Sequence, residues 1–187
     1  MRRLIVSEFM SLDGVMEAPG GEPGHPHSGW VGDYMGHEEA QQYKFEEVLE
    51  AESLLLGRVT YESFAGAWPT YVGEFADKMN AMHKDVVTSA MTELEWTNSS
   101  VLEGDVVEAV TALKAGDGGP ILVAGSCTLV HTLIEHELVD ELRLMVCPVA
   151  VGSGMRVFPE TQKKTVLTLS EAKVFDSGVI VQHYSAT

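Results

Sequence analysis

The sequence predicts an α/β fold in three layers, with a mixed, mostly parallel central sheet and helices on both faces. Short segments rich in Leu, Ile and Val alternate along the chain with segments whose apolar residues recur at helical spacing. Glycine follows several of the short apolar segments, as is typical of the tight connection from a parallel strand into a helix. Two apolar segments near the end of the chain flank Asp176, Ser177 and Gly178, which predicts an antiparallel hairpin.

The first half of the chain is predicted to contain three strands, three helices and one long loop. The loop is rich in glycine and proline, and a loop of this length in a compact domain is typically a binding loop or disordered. Thr60 opens the second helix, where Glu62 in the first turn suits the helix dipole. The predicted strands are 4–9, 53–56 and 85–88; the helices are 38–52, a segment from Thr60, and 73–82; the loop is 12–36.

The second half is predicted to continue the alternation and to end in the hairpin. Asp105 is a helix cap, and Gly116 ends the helix that follows it. Because no internal repeat and no linker divides the chain, residues 1–187 are predicted to form one domain. The remaining predicted elements are a buried strand at 121–124, a helix after Gly125-Ser126, an alternating strand at 141–147, and the hairpin strands 165–175 and 179–184.

Composition narrows the function classes. The formal net charge is −16, from 12 Lys and Arg against 28 Asp and Glu, which argues against nonspecific binding to nucleic acid or an anionic membrane. No apolar run approaches the roughly 20 residues of a membrane helix, and the N-terminus lacks the apolar core of a signal peptide. We therefore expect a cytoplasmic protein in which any anionic ligand is held by locally placed donors.

Two segments combine a strand, a glycine and a helix start, an arrangement that suits an anion. They are 56–60 (LGRVT) and 123–128 (VAGSCT). Glycine permits close backbone approach, and the free N–H groups of a helix start point outward. Arg58 adds a planar charged group suited to phosphate, although it could instead be a solvated surface charge. Two such sites in one parallel sheet indicate a dinucleotide that bridges neighbouring strand ends.

Hydroxyl groups follow the third predicted strand at Thr88 and Ser89. They are candidates for contacts with a ribose or a 2′-phosphate. The alternative is that they form the turn after the strand, which is the commoner use of Ser and Thr there.

At these residues the chain resembles the dihydrofolate-reductase-like superfamily. Residues 55–62 (LLGRVTYE) resemble the cofactor-phosphate segment of dihydrofolate reductases. The segments 11–14 (SLDG), 138–144 (LVDELRL) and 148–154 (PVAVGSG), together with Gly125-Ser126, resemble the reductase C-terminal domain of bifunctional riboflavin-biosynthesis proteins. The chain is identified as a stand-alone member of this group over about residues 4–184. The resemblance implies the dihydrofolate-reductase-like fold, NADPH as cofactor, and a homodimer.

The resemblance also implies roles for single residues. Arg58 would bind the 2′-phosphate with help from Ser89, and Asp13 would lie near the nicotinamide and the substrate. Gly152 and Gly154 would shape the floor of the substrate pocket. The predicted cofactor-binding residues are Gly57, Arg58, Val59, Thr60, Thr88, Ser89, Gly125, Ser126, Cys127, Thr128 and Leu129; the predicted substrate-binding residues are Leu12, Gly14, Trp30, Asp33, Gly152 and Gly154.

The chain departs from the resembled families on the substrate side. The tryptophan and carboxylate block of dihydrofolate reductases has no cleanly spaced counterpart around Trp30 and Asp33. Riboflavin reductases usually carry a Glu-Gly-Gly turn, where this chain has Ala124-Gly125-Ser126. The classical substrates are therefore not supported, and another small heterocycle or a carbonyl compound is open.

A hydride acceptor also needs a proton from a positioned acid or from water. Asp13, Asp33 and Tyr34 are the candidate donors, and Asp13 is the predicted catalytic residue. The alternative for Asp13 is a structural bond from its side chain to the backbone of its loop. No metal is predicted, because His25 and His27 lack the pair spacing of a zinc site.

Two functions follow. The first is an NADPH-dependent reductase for a small pterin-like, aminouracil-like or carbonyl substrate, in which Asp13 or a water supplies the proton. The second is a non-catalytic nucleotide-binding or ligand-sensing module on the same fold.

Overall fold

The computed structural model describes residues 1–161 and 164–186, and in them eight strands form one sheet. Their bounds are β1 Leu4–Ser11, β2 Ser53–Gly57, β3 His83–Val87, β4 Ser99–Val101, β5 Ile121–Val123, β6 Glu141–Cys147, β7 Leu167–Val174 and β8 Ile180–Ala186. The spatial order is β4-β3-β2-β5-β1-β6-β8-β7. The six strands from β4 to β6 run parallel, and β8 and β7 add antiparallel pairings at one edge.

In the part of the chain that the structure describes, six helices connect these strands, and a 3₁₀ turn at Trp68–Thr70 follows the third. None of the helices in the described residues is long and apolar enough to cross a bilayer. The bounds are α1 Gly32–Met35, α2 Glu38–Glu50, α3 Arg58–Ala67, α4 Glu74–Ala81, α5 Val106–Ala115 and α6 Cys127–Glu135.

The helices cover both faces of the parallel part of the sheet, so that its central strands are buried on both sides. Alternate residues of β1 point to opposite faces: Leu4 and Val6 pack with α5 and α6, whereas Ile5 packs with the helices α2, α3 and α4. Every residue of β2 and of β5 is buried, which is why these strands are nearly continuous runs of Leu, Ile and Val.

The structure confirms the predicted fold class and the C-terminal hairpin. In the hairpin, the Phe175 N–H donates to the carbonyl of Val179 at 2.9 Å. The predicted start of α3 at Thr60 is wrong, because Gly57 is the N-cap and the helix begins at Arg58. The strand β4 was not predicted, since its three residues contain one apolar side chain and it lies at the sheet edge. The predicted loop contains the four-residue helix α1.

A buried polar network fastens α2 to the sheet. Glu47 is 3% exposed and accepts hydrogen bonds from Ser7 at 2.9 Å and from Tyr43 at 3.0 Å. Lys44 donates to Glu47 at 2.7 Å and to Ser7 at 2.6 Å. The Arg143 guanidinium from β6 lies 3.9 Å from Glu47. Because these buried groups find partners, the carboxylate is tolerated inside the fold.

Candidate functional site

At their carboxyl ends β1 and β5 stop pairing, and we call the region beyond this point the crevice. The two strands pair only as far as Val6 and Val123, after which β5 ends while β1 continues beside β6 to Ser11. After β1 the chain passes into α2 on one face of the sheet, and after β5 it passes into α6 on the other face. The connections that follow these two neighbouring strands therefore run in opposite directions. In open α/β sheets, ligands bind outside the carboxyl ends of strands at such a reversal of direction.

The two predicted glycine turns meet beside this crevice. Gly57 ends β2, which neighbours β5, and its N–H donates to the carbonyl of Gly125 at 3.2 Å. A Cβ on Gly57 would lie 2.9 Å from the backbone nitrogen of Ser126. Gly125 has φ +93°, and a Cβ there would lie 2.5 Å from Thr60 Oγ1. The Gly125–Ser126 peptide bond is cis. Only glycine therefore lets the two turns approach this closely.

Two helix N-termini begin at these turns. Gly57 is the N-cap of α3 and Ser126 is the N-cap of α6, and within the described residues neither helix has a side-chain hydrogen bond at its cap. The first-turn N–H groups are thus free to bind an external acceptor, and both helix dipoles favour an anion there. The hydroxyls of Ser126 and Thr128 lie 3.3 Å apart in the first turn of α6. This arrangement suits a phosphate group.

Arg58 lies in the first turn of α3 and is 45% exposed. Its guanidinium pairs with Glu62 at 2.9 Å across one helical turn. An exposed pair of this kind contributes little free energy, so a phosphate could take the place of Glu62. Val59 beside it is also exposed.

Thr88 and Ser89 follow β3, the strand next to β2. Gly57 is paired with Val87 in the parallel ladder, which puts both hydroxyl residues beside the start of α3. Thr88 Oγ1 accepts from the backbone N–H of Ala90 at 3.1 Å, so Thr88 forms the turn after the strand, as the alternative interpretation of this residue expects. Ser89 is exposed at the same strand end.

Cys127 and Leu129 face the core more than the crevice. Cys127 is 7% exposed and Leu129 is 4% exposed. Burial raises the pKa of the Cys127 thiol to about 12, so the side chain holds its proton and is a poor nucleophile near neutral pH. Any ligand contact from these two positions falls mainly to their backbone atoms.

Asp13 is occupied in holding two loops together. Its carboxylate accepts hydrogen bonds from Ser11 Oγ at 2.7 Å, Val151 N at 3.0 Å and Gly152 N at 2.7 Å. These bonds, led by that from Ser11, lower the pKa of Asp13 to about 2. A group ionised so completely near neutral pH is poorly suited to donate a proton. The contacts are those of the structural alternative for this residue.

A cavity of about 340 Å³ lies beside the carboxyl end of β6. Trp30 and Asp33, both predicted on the substrate side, line it together with Tyr34 and the turn 149–151. Trp30 donates from its indole N–H to the carbonyl of Glu17 at 2.9 Å, which holds the ring in place. Such a cavity, with an aromatic wall and a few polar groups, suits a small flat molecule.

The other predicted substrate-side residues lie around the Asp13 loops. Leu12 is 71% exposed, and Gly14 has φ +86° at the end of the turn that begins at Ser11. Gly152 directly follows the cavity-lining Val151. A Cβ on Gly154 would lie 2.9 Å from Val15 Cγ1, so the glycine lets these two segments pack.

Glu8 is the site residue that sequence reasoning missed. It lies on β1 at the level where β5 has ended, is 7% exposed, and its Oε1 has no hydrogen-bond partner in the part of the chain described. Burial raises its pKa to about 8, against a smaller lowering by Lys44 and by the Gly125 backbone amide. The available signal was a lone carboxylate inside the apolar run 4–9.

The histidine-rich loop forms ordinary hydrogen bonds. His25 Nε2 lies 3.0 Å from the carbonyl oxygen of Ser153, and the His27 N–H donates to His25 Nδ1 at 3.1 Å. Among residues 1–161 and 164–186, no group of three or more His, Cys, Asp or Glu side chains is arranged to hold a metal ion.

The chain is similar to a known domain family and to two proteins of Bacillus subtilis. The model of the family described as the RibD C-terminal domain matches residues 2–181. The uncharacterized protein YyaP of Bacillus subtilis (strain 168) is 28% identical over 199 residues, covering 98% of this chain and 96% of its own. The uncharacterized protein YwjB of the same organism is 24% identical over 185 residues, covering 99% of both chains.

Two solved structures share the fold. A candidate riboflavin biosynthesis protein from Shewanella sp. PV-4 superposes with a TM-score of 0.74 at 19% identity, covering 99% of both chains. A pyrimidine reductase-like protein from Corynebacterium diphtheriae NCTC has a TM-score of 0.69 at 14% identity, covering 99% of this chain and 92% of the other.

Proposed function

The chain belongs to the RibD C-terminal domain family, and we propose that it is an NADPH-dependent reductase. Membership of this family indicates a reductase-type function. Its substrate would be a small pterin-like or aminouracil-like heterocycle or a carbonyl compound. The observation that carries the proposal is the meeting of Gly57 and Gly125 beside the crevice, each at the start of a helix without a side-chain cap hydrogen bond.

The residues at these turns fit the phosphates of a dinucleotide. In a chain with a net charge of −16, an anion needs local donors, and the first turns of α3 and α6 supply N–H groups and hydroxyls. Arg58 would bind the 2′-phosphate, with Ser89 beside it on the neighbouring strand end. Gly57, Val59, Thr60 and Thr88 would complete the first binding segment, and residues 125–129 would form the second.

The protein's part in the reaction is to orient the reactants and exclude water. When bound, NADPH supplies the hydride. Trp30 and Asp33 would hold the substrate in the cavity at the end of β6, with Leu12, Gly14, Gly152 and Gly154 in the adjoining loops. Since Asp13 is ionised and fully hydrogen-bonded, we assign it to holding the loops, and a bound water would supply the proton.

Turnover tests this function. We would follow loss of the dihydronicotinamide absorbance with a panel of pterins, aminouracils and small carbonyl compounds. A substrate-dependent loss supports the reductase. Tight NADPH binding with no turnover on any compound would favour the non-catalytic binding module instead. For Asp13→Asn we expect lower stability, with the pH dependence of turnover unchanged.

We also propose that the protein is a homodimer. The edge strand β7 is exposed along most of its length, and Leu169 and Val174 are 51% and 68% exposed on it. Exposed apolar residues on a sheet edge suit pairing or packing across a two-fold axis. Light scattering should give twice the chain mass, and a monomer mass would remove this proposal. The cytoplasmic location stays a prediction.

A further inference from the structure

Glu8 is a carboxyl group held inside the sheet beside the crevice. Its nearest elements carry few partners for it: the Gly125 backbone amide approaches it, while Oε1 has no hydrogen-bond partner among the described residues. Burying a polar oxygen without a partner is costly. A buried, unpaired group of this kind at a ligand crevice is explained when the ligand supplies the missing partner.

The side chain of Glu8 points to the face of the sheet that α6 covers, where the second glycine turn lies. Along β1, Leu4 and Val6 point to the face covered by α6, and Glu8 follows in the same alternation. Gly125 and Cys127, at the second glycine turn, interact with Glu8. The substrate cavity lies on the other face, where Trp30 and Tyr34 pack with residues that α2 covers.

We propose that the Glu8 side chain binds the carboxamide group of the nicotinamide ring through hydrogen bonds. This inference rests on the proposed function, because it needs a nicotinamide cofactor in the crevice. A primary carboxamide offers one carbonyl acceptor and an NH₂ donor. A protonated carboxyl group offers the complement, one O–H donor and one acceptor oxygen, whereas an ionised one offers acceptors only.

The surroundings of Glu8 keep it protonated at neutral pH. Desolvation by burial is the largest influence on its pKa and raises it. The charged groups that act on Glu8 from α2 are Lys44, which lowers the pKa, and Glu47, which raises it; Cys127 on α6 is itself held neutral by burial. The Glu8 side chain can therefore donate to a carbonyl oxygen and accept from an amide in one orientation.

The first test removes either the Glu8 carboxyl group or the NH₂ group of the carboxamide and measures the effect on binding. We would measure the affinity of wild type, Glu8→Gln and Glu8→Ala for NADPH, for its 3-acetylpyridine analogue, which lacks the NH₂ group, and for 2′-phospho-ADP-ribose, which lacks the nicotinamide. Glu135→Gln, an exposed site at the end of α6, is the matched control. We expect Glu8→Ala to lose roughly tenfold in NADPH affinity, the size of one or two hydrogen bonds, and Glu8→Gln to lose less.

Comparing NADPH with the acetylpyridine analogue shows whether Glu8 contacts the carboxamide or whether its substitution weakens dinucleotide binding in general. Wild type should bind NADPH about tenfold more tightly than the acetylpyridine analogue, and Glu8→Ala should bind the two equally. All variants should bind 2′-phospho-ADP-ribose alike. If Glu8→Ala discriminates between the two dinucleotides as wild type does, Glu8 does not contact the carboxamide and the inference is overturned.

The pH dependence provides a second readout. Ionisation of Glu8 removes the O–H donor, so wild-type affinity for NADPH should fall as the pH rises through about 8, while Glu8→Gln should show no such fall. An identical fall in both proteins contradicts the inference. If wild type binds 2′-phospho-ADP-ribose and NADPH but Glu8 proves irrelevant, the proposed function stands alone; if it binds neither, both proposals fail together.

Discussion

Replacing Glu8 with Gln should change how stability depends on pH. Burial raises the pKa of this carboxyl from an ordinary 4.5 to about 8, so the folded protein keeps a proton that the unfolded chain has released. Between these two values the unfolded state binds fewer protons, and the free energy of unfolding falls by about 1.4 kcal/mol per pH unit. The contribution of Glu8 is fully present below pH 4.5 and is lost as the pH rises through about 8.

Glu8→Gln has nearly the same shape and cannot ionise, so it removes this one contribution. From pH 5 to pH 8 we expect wild type to lose roughly 3–4 kcal/mol relative to the variant. Urea unfolding of both proteins at half-unit pH steps measures the difference, and the pH dependence of all other groups cancels. A constant difference across this range would falsify the assignment of Glu8 as a neutral buried acid.

Three further substitutions test other parts of the account. Arg58→Ala should weaken NADPH binding by roughly tenfold to a hundredfold, the size of a charge-assisted contact, and leave NADH nearly unchanged; equal losses for both would contradict a 2′-phosphate role. Gly57→Ala brings a Cβ to 2.9 Å from Ser126 N and should cost about 1–3 kcal/mol in urea unfolding, with weaker NADPH binding, so full retention of both would refute the tight turn. Glu47→Ala leaves Lys44, Ser7 and Tyr43 without the carboxylate to which they donate and should cost about 3–5 kcal/mol; a loss below 1 kcal/mol in the same assay would show that the network contributes little.

Much of the fold could be predicted because burial leaves a direct trace in the chain. The strands β2 and β5 are covered on both faces and read as continuous apolar runs. The glycine turns were predictable because a strand that turns directly into a helix needs glycine where backbones meet closely, as at Gly125. The strand β4 has no such trace, because hydrogen bonding to β3 at the sheet edge, and not burial, defines it.

In the candidate site, the positions of the backbone turns could be predicted from the sequence, whereas the contacts and protonation of the side chains could not. Spacing could not show that Asp13 would meet the amides of Val151 and Gly152, since those lie far along the chain. Glu8 lies inside the predicted strand 4–9 without a predicted role, and its chemistry depends on β5 ending early and on the approach of Gly125. Long-range neighbours decide protonation, and single-chain patterns do not contain them.

Calorimetric titration of the wild-type protein with NADPH and, separately, with NADH tests whether the crevice between β1 and β5 binds NADPH. Arg58 and Ser89 would contact the 2′-phosphate that only NADPH carries. We expect saturable binding of NADPH that is at least tenfold tighter than that of NADH. Absence of binding by both dinucleotides would contradict the reductase function and leave the fold and family in place.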